Sequence, residues 1–173
     1  MSRIKVLHIC SDMRRGGAQQ LLLDIFRHVH RDCFDFNLFS FRKDDDPVAR
    51  EIEESGCRVF YANVERPYHN PRILLEILKV LRVNHFDIVH THLHRGGTYG
   101  RLVARLCGVP IIVMTEHSSL PVSARSWRQN LENRIFEMIT DKVIFISEWS
   151  GNQYRISSKR SVIIKNCIDP AVL

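Results

Sequence analysis

Short apolar runs alternate with amphipathic segments along the entire chain, and this alternation is what most restricts its fold. Seven runs are predicted as strands, at 5–10, 34–41, 58–64, 87–92, 110–115, 142–146 and 161–165. The segments between them predict helices, among them 18–29, 123–139 and 149–154. Most of the strands are apolar on both faces, which is typical of strands covered by helices on either side. The sequence therefore predicts a doubly wound, mostly parallel, Rossmann-like α/β sheet in a single domain over 1–173.

The first strand passes into the first helix through a loop that contains Gly16 and Gly17. The helix carries an apolar stripe of Ala18, Leu21, Leu22, Ile25, Phe26 and Val29. Glycine at such a turn lets a ligand approach the backbone closely, and the free N–H groups of the first helical turn favour an anion. A pair of glycines before a helix is also ordinary turn chemistry. The loop is therefore a candidate phosphate site, and the alternative is an ordinary turn that binds no ligand.

Capping residues and apolar stripes define the remaining helices. Asp46-Pro47 and Asn70-Pro71 predict a cap followed by proline at the first helical position, and Ser147 predicts a cap for the last helix. Three buried stripes are predicted, formed by Leu74, Ile77, Leu78 and Leu81, by Tyr99, Leu102, Val103 and Leu106, and by Trp127, Leu131, Ile135 and Met138.

The charge and cysteine content exclude several classes of protein. The net charge of +6 would suit nucleic acid, but no arginine-rich helix with aromatic residues and no RNA-binding signature is present. An anionic substrate or lipid is the better partner, beside the plain alternative of a solvated basic surface. The five cysteines are scattered and form no Cys-x-x-Cys pair, which indicates free thiols in a reducing cytosol. No apolar run is long enough to span a bilayer.

Polar side chains collect where three of the predicted strands end. Arg14 and Arg15 accompany the glycines after the first strand, and Glu116 and His117 follow the fifth. The fourth strand ends in a histidine-rich segment that contains His90, His92, His94 and Arg95. Ligands of doubly wound sheets bind at this edge, so these residues are candidate contacts. The chain is expected to reverse direction across the sheet between the first and fourth strands, so Gly16 and Gly17, His92 and His117 should converge on one site. His-x-His is also a metal-ligand spacing, but no cysteine or carboxylate is fixed nearby and we expect no metal. For His90 alone, a hydrogen bond to a neighbouring backbone group is the expected role.

Five motifs, taken in order, resemble a known family. They are Met13-Arg14-Arg15-Gly16-Gly17-Ala18-Gln19, Asp87-Ile88-Val89-His90-Thr91-His92, Thr115-Glu116-His117, Val143-Ile144-Phe145-Ile146-Ser147 and Val162-Ile163-Ile164-Lys165-Asn166-Cys167-Ile168-Asp169. The chain resembles the N-terminal, acceptor-side domain of retaining glycosyltransferases with two Rossmann domains (the GT-B fold), family four. It departs from that pattern at Gln19, where an acidic residue is usual, and at Cys167, where glycine is usual.

The resemblance implies roles for individual residues. Gly16 and Gly17 would present N–H groups to the donor diphosphate, and His117 would act as the catalytic residue beside the transferring sugar. His92 and Glu116 would contact the donor, whereas Arg14, Arg15 and Arg95 would contact an anionic acceptor or lipid. No carboxylate nucleophile is expected, because the leaving phosphate would draw the acceptor proton during attack on the same face. The nucleotide-sugar is a substrate, so we expect no resident cofactor.

The resemblance also implies a function for a longer protein. A second Rossmann domain would follow Asp169 and carry most of the nucleotide-sugar site, so this chain alone is expected to be inactive. The acceptor would be a glycan or a lipid-linked sugar, and the protein would be cytoplasmic, with peripheral contact to an anionic membrane. Two alternatives stay open: a non-catalytic nucleotide- or partner-binding Rossmann module, and a metal hydrolase built on His90-Thr91-His92. The hydrolase alternative commonly needs a barrel of about 250 residues.

Overall fold

A computed structural model describes residues 2–42, 46–68, 70–117, 127–153 and 159–166, without the side chains of 127–130, 132, 133 and 153. The strands are β1 (Ile4–Cys10), β2 (Phe34–Ser40), β3 (Arg58–Tyr61), β4 (Ile88–His92), β5 (Ile111–Glu116), β6 (Lys142–Phe145) and β7 (Ser161–Ile163). The helices are α1 (Gly17–His28), α2 (Pro47–Glu54), α3 (Arg72–Asn84), α4 (His94–Leu106), α5 (Trp127–Met138) and α6 (Glu148–Gln153).

The seven strands form one sheet in the order β3-β2-β1-β4-β5-β6-β7, and every neighbouring pair is parallel. The prediction of a doubly wound parallel sheet is confirmed. The chain builds outward from β1 to β3 and then returns to place β4 on the other side of β1. The carboxyl ends of β1 and β4 therefore lie at the point where the strand order reverses, which is where ligands bind in such sheets.

Apolar side chains form two separate clusters, one on each face of the sheet. Leu7 and Ile9 of β1 belong to the cluster that contains residues of α3 and α4. Cys10 belongs to the other cluster, with residues of α1 and α2. Because side chains alternate along a strand, this division means that β1 is covered by helices on both sides.

Helix α4 packs through its glycines, and the predicted stripe of large residues is wrong for two of its four members. Leu102 and Leu106 are exposed, the latter by 76%. The buried face consists of Gly96, Gly97, Gly100, Arg101, Val103 and Ala104. A Cβ atom on Gly100 would lie 2.8 Å from Cγ2 of Thr91, so the helix approaches the sheet too closely for a larger side chain.

Helix α5 is rotated relative to its predicted orientation. Leu131, Ile135 and Met138 are exposed rather than buried, and the side chain of Trp127 lies outside the described part of the chain. The rotation follows from contacts with α4: Arg101 donates to Thr140 Oγ1 at 3.2 Å and lies 5.1 Å from the centre of the Phe136 ring. These contacts turn Phe136 toward α4 and turn the apolar stripe away from it.

Smaller differences concern element ends. β3 ends at Tyr61 rather than at 64, and α4 begins at His94, so Arg95, Gly96 and Gly97 lie inside a helix. Ser147 does cap α6, because its hydroxyl accepts from the Ser150 N–H at 3.1 Å. The predicted helical residues 123–126 and 154 lie outside the described residues.

Candidate functional site

The glycine loop leads directly into the first turn of α1. Gly16 is the N-cap residue, and its carbonyl accepts the Gln20 N–H at 2.9 Å. A Cβ atom on Gly17 would meet nothing within 4 Å. No acidic side chain occupies this first turn, so the positive end of the helix is open to a ligand anion.

Two buried side chains hold this loop in place. The Asp46 carboxylate accepts from the Met13 N–H at 3.1 Å and from the Ser40 hydroxyl, so the predicted side-chain cap of α2 by Asp46 is wrong. The Gln19 amide donates to the Asp12 carbonyl at 2.8 Å. A carboxylate cannot make that donation, which gives a physical reason for an amide where the family usually has an acid.

The three arginines of the predicted anion site are engaged within the protein. Arg14 contacts the Asp12 carboxylate at 2.5 Å and holds the pKa of that carboxyl below its ordinary value. Arg15 contacts Glu51 at 2.5 Å. Arg95 donates to the Tyr99 hydroxyl at 3.1 Å. Arg14 and Arg15 are both more than half exposed, so exchanging these partners for a ligand anion would cost little.

Four histidines form a cluster at the carboxyl ends of β1, β4 and β5, in which His8 and His92 are buried and His90 and His117 are partly exposed. Nδ1 of His8 lies 3.0 Å from Nε2 of His92, and Nδ1 of His92 lies 3.2 Å from Nε2 of His117. His90 contacts the rings of His8 and His92, with centroids 4.9 and 4.3 Å away. Its Nε2 lies 2.7 Å from Thr115 Oγ1, so its partner is a side chain rather than the predicted backbone group.

The sheet register creates this cluster. His8 pairs with His90 and Cys10 pairs with His92, so alternate residues of the two strands share one face. His92 in turn pairs with Thr115, which brings the end of β5 alongside. Phe26 of α1 covers the cluster, its ring centre 5.0 Å from that of His8.

Burial keeps the cluster neutral. It lowers the pKa of His90 to about 3 and lowers the pKa values of His8 and His92 well below the ordinary value, and the neighbouring histidines lower them further. The pKa of His117 is lowered by burial, while the charge of nearby Glu116 acts in the opposite direction. Neutral imidazoles can both donate and accept hydrogen bonds, as contacts to sugar hydroxyls require.

The turn after the histidines is strained. Leu93 has φ 59° and ψ 164°, a region that only glycine adopts without cost. His94 therefore does not continue β4 but begins α4, so it does not share the strand face of His90 and His92. The strained turn ends β4 at His92, whose side chain is 3% exposed.

Three histidines of the cluster are close enough together to be candidate metal ligands. One nitrogen from each of His8, His90 and His92 can be chosen so that all three lie within 4.8 Å of one another. That no metal is needed stays a prediction.

A separate cavity opens at the carboxyl ends of β2 and β3. Its volume is about 1010 Å³, and its lining includes Phe41, Arg42, Tyr61, Arg66 and Tyr68. It lies on the opposite side of β1 from the histidines. Phe41 stacks on Tyr99 of α4, with ring centres 6.2 Å apart, so the aromatic side of the cavity extends toward the Arg95–Tyr99 pair.

Sequence reasoning identified His92 and His117 and expected them to meet, and they lie in contact. Gly16 and Gly17 follow β1, which neighbours β4, at the same edge of the sheet. His8 was missed because it lies inside an apolar run, two residues before the strand ends. The strand period would place His8 and Cys10 on one face, but only the pairing register shows that this face is shared with His90 and His92.

Known proteins match this sequence and this fold. An Escherichia coli enzyme, UDP-Gal:alpha-D-GlcNAc-diphosphoundecaprenol alpha-1,3-galactosyltransferase, is 32% identical over 119 residues, which cover 67% of this chain and 30% of the enzyme. The Anabaena HepE structure in complex with UDP has a TM-score of 0.72 at 16% identity, covering 97% of this chain and 45% of that chain. The structure of a UDP-GlcNAc 2-epimerase from Neisseria meningitidis, bound to UDP-GlcNAc, has a TM-score of 0.69 at 14% identity, covering 94% of this chain and 47% of that chain.

The two structural likenesses concern the fold alone, because transferases and epimerases share it. The chain spans between 24% and 36% of the length of the curated relatives it matches. The family model described as Glycosyltransferase Family 4 matches residues 15–172. With the all-parallel sheet and its switch point between β1 and β4, this match means that the chain belongs to glycosyltransferase family 4.

Proposed function

We propose that the chain is the acceptor-side, N-terminal half of a glycosyltransferase that moves a sugar from a nucleotide-sugar to a glycan or lipid-linked acceptor, with retention of configuration. The observation that carries the proposal is the His92–His117 contact of 3.2 Å at the carboxyl ends of β4 and β5. It leaves Nδ1 of His117 as a neutral hydrogen-bonding group at the same edge of the sheet as the helix end at Gly17, in a chain of this family. A second Rossmann domain would supply the rest of the donor site.

The proposed reaction needs no group of the protein to be consumed. The bond between the anomeric carbon and the diphosphate oxygen breaks, and a bond from that carbon to the acceptor oxygen forms on the same face. The acceptor hydroxyl proton passes to the departing diphosphate. Gly16 and Gly17 stabilise the developing phosphate charge through backbone N–H groups, His117 binds a sugar hydroxyl, and Glu116 contacts the donor.

The relatives suggest the class of substrates. The name of the Escherichia coli relative specifies UDP-Gal as donor and a sugar on diphosphoundecaprenol as acceptor, and that of a Staphylococcus aureus relative specifies capsular polysaccharide biosynthesis. We propose a UDP-sugar donor and an acceptor on a lipid diphosphate. The net charge of +6 suits such an anionic acceptor and the cytoplasmic face of an anionic membrane.

The cavity at the ends of β2 and β3 is the proposed acceptor site. Arg42 and Arg66 offer positive charge to a diphosphate, and the Phe41, Tyr61 and Tyr68 rings offer apolar faces to a sugar or isoprenoid. Within the described residues, no helix is both long and apolar enough to cross a bilayer. We propose that a lipid-linked acceptor reaches this cavity through peripheral contact of the protein with the membrane, to which the net charge of +6 is suited.

The test uses the full-length protein that contains this chain. It is incubated with UDP-sugars and a synthetic lipid-diphosphate sugar, and the anomeric configuration of the product is read by proton NMR. We expect a product with the donor's configuration. An inverted product would contradict retention, and saturable UDP binding without transfer would favour the non-catalytic nucleotide-binding module. The 173-residue chain alone is expected to transfer nothing.

A further inference from the structure

The histidine cluster contains a continuous chain of ring contacts that begins in the core and ends at the ligand crevice. His8 contacts His92, and His92 contacts His117, through nitrogens 3.0 and 3.2 Å apart. Both ring nitrogens of His92 are therefore occupied by other histidines. At each end one ring nitrogen, Nε2 of His8 and Nδ1 of His117, is buried without a hydrogen-bond partner among the described residues.

Each neutral imidazole carries one N–H and one lone pair. Within the chain only two arrangements make both hydrogen bonds. In one arrangement every N–H points toward His8, and the lone pair is left on Nδ1 of His117. In the other, every N–H points toward His117, and the lone pair is left on Nε2 of His8.

The surroundings of His8 favour the first arrangement. Its ring is packed against Phe26 and Phe36, with centroids 5.0 and 4.7 Å away. The faces of aromatic rings carry negative charge and accept weak hydrogen bonds from N–H groups, whereas they repel a lone pair. An unpaired N–H on Nε2 of His8 therefore costs less than an unpaired lone pair.

We propose that His8 and His92 are positioning residues that fix the tautomer of His117, so that its Nδ1 is an unprotonated hydrogen-bond acceptor for a ligand hydroxyl. His117 Nε2–H donates to His92 Nδ1, and His92 Nε2–H donates to His8 Nδ1. The lowered pKa values of all three residues support this arrangement, because an imidazolium would have two N–H groups and would interrupt the chain of hydrogen bonds. The inference rests on the proposed function only in naming the hydroxyl as that of a sugar.

This assignment restricts what His117 can do. An unprotonated Nδ1 accepts a hydrogen bond and cannot supply a proton to a leaving group. It orients a hydroxyl donor and leaves the protonation of the diphosphate to the acceptor hydroxyl. A histidine fixed in the opposite tautomer would present an N–H, and the hydroxyl would have to rotate to accept it.

The test is an ¹⁵N spectrum of the full-length protein labelled at histidine, recorded at pH 7.5 with a chelator present. Protonated and unprotonated ring nitrogens have well-separated shifts, and His117→Gln assigns the signals. We expect Nδ1 of His117 to be unprotonated and its Nε2 protonated. The reverse pattern in the unsubstituted protein would overturn the proposal, and this result needs no core variant to fold.

Two variants at His8 test the connection between the residues. His8→Leu removes the acceptor for His92 Nε2–H, so we expect mixed tautomers at His117 and a fall in kcat/KM of roughly tenfold or more. His8→Gln returns an acceptor oxygen and is expected to restore both readouts. Leu38→Val is the matched control, because Leu38 pairs with His8 in the sheet, is buried and has no polar side-chain atom. An unchanged His117 spectrum in His8→Leu would overturn the proposal.

The outcomes separate this inference from the proposed function. The predicted tautomer together with normal transfer by His117→Ala would support the positioning chain and contradict the catalytic role of His117. A protonated Nδ1 together with loss of transfer in His117→Ala would contradict the positioning chain and support the catalytic role of His117. If added zinc replaces the ¹⁵N signals of the hydrogen-bonded ring nitrogens, the cluster is a metal site, and the proposed chain of hydrogen bonds is overturned.

Discussion

At the scale of single residues, Gly17 is a position where the backbone is open to a ligand. A Cβ atom added to it would meet nothing within 4 Å, and its N–H belongs to the first turn of α1. That Cβ atom would enter the volume proposed for the donor diphosphate without crowding the protein. Its effect on binding can therefore be separated from its effect on folding.

We expect Gly17→Ala and Gly17→Val to weaken donor binding in that order, because valine fills more of the space. Valine should raise the donor KM by roughly tenfold or more, equivalent to about 1.4 kcal/mol. The melting temperature should change little, since alanine favours helix more than glycine does. Steady-state kinetics and thermal melts of the full-length protein measure both. An unchanged KM with valine would remove this loop from the donor site.

Individual site residues were predictable from sequence to different degrees. His92 and His117 were identifiable because one ends β4 and the other follows β5 directly, and the edge where strands end is known once the sheet is predicted to be parallel. His8 and Asp46 were not identifiable as site residues, since their partners are 84 and 33 residues away in sequence. Such contacts depend on strand register and on the path of loops. The hydrophobic periodicity of the sequence gives no information about either.

At the scale of elements, α4 sets the distance between the switch point and the helical layer. A Cβ atom on Gly96 would be 3.0 Å from the Ser11 N and 3.1 Å from the Ile9 carbonyl. Gly100 is tighter still, against Thr91 and Ile9. Gly97 is different, because an added Cβ atom would lie 3.6 Å from its nearest neighbours, which is an ordinary van der Waals distance.

We expect Gly100→Ala to destabilise the protein by about 1–3 kcal/mol, because a methyl group must displace buried side chains in a packed core. Gly97→Ala is the matched control and should be neutral or slightly stabilising, as alanine is the better helix former. Chemical denaturation of both variants measures the free energies of unfolding. Equal losses in the two variants would contradict this account of the packing.

The elements themselves were largely predictable, and helix orientation was less so. All seven strands occur where the apolar runs predicted them, with ends displaced by a few residues in several cases. The predicted stripe of α4 is wrong because the short distance between this helix and the sheet selects glycine, rather than large apolar residues, for the buried face. The orientation of α5 was misjudged because Arg101 and Thr140 determine it through a polar contact.

At the scale of the whole molecule, the buried histidines couple stability to pH. In the unfolded chain a histidine takes up a proton near pH 6.5, whereas the folded pKa of His90 is about 3 and those of His8 and His92 are well below the ordinary value. Below pH 6.5 the unfolded state binds more protons than the folded state. The free energy of unfolding therefore falls as the pH falls.

Each of these histidines should contribute a slope of about 1.4 kcal/mol per pH unit once the pH is well below 6.5, and for His90 this continues to about pH 3. We expect the stability of His90→Gln to fall less steeply than that of the parent protein, by about one proton. Urea unfolding between pH 7.5 and 4.5 measures the two slopes. Identical slopes would mean that His90 is protonated in the folded state.

General rules of α/β topology predicted that the chain reverses across the sheet between the first and fourth strands, but not the full strand order, because doubly wound sheets occur in more than one order. Those rules also predicted that residues after the fourth and fifth strands would meet near the first. The position of the large cavity, at the ends of β2 and β3 rather than beside the histidines, did not follow. It depends on side chains of the segment 62–68, which has no periodic pattern.

The measurement that tests the site most directly is paired kinetics and melting of His117→Ala in the full-length protein. We expect kcat/KM to fall by about 100-fold or more, while the melting temperature changes by only a few degrees because His117 is partly exposed. Thr115→Val is the control, since it removes a contact to His90 from the same strand end and should leave transfer close to normal. Normal turnover in His117→Ala would contradict the assignment of this crevice as the site of transfer.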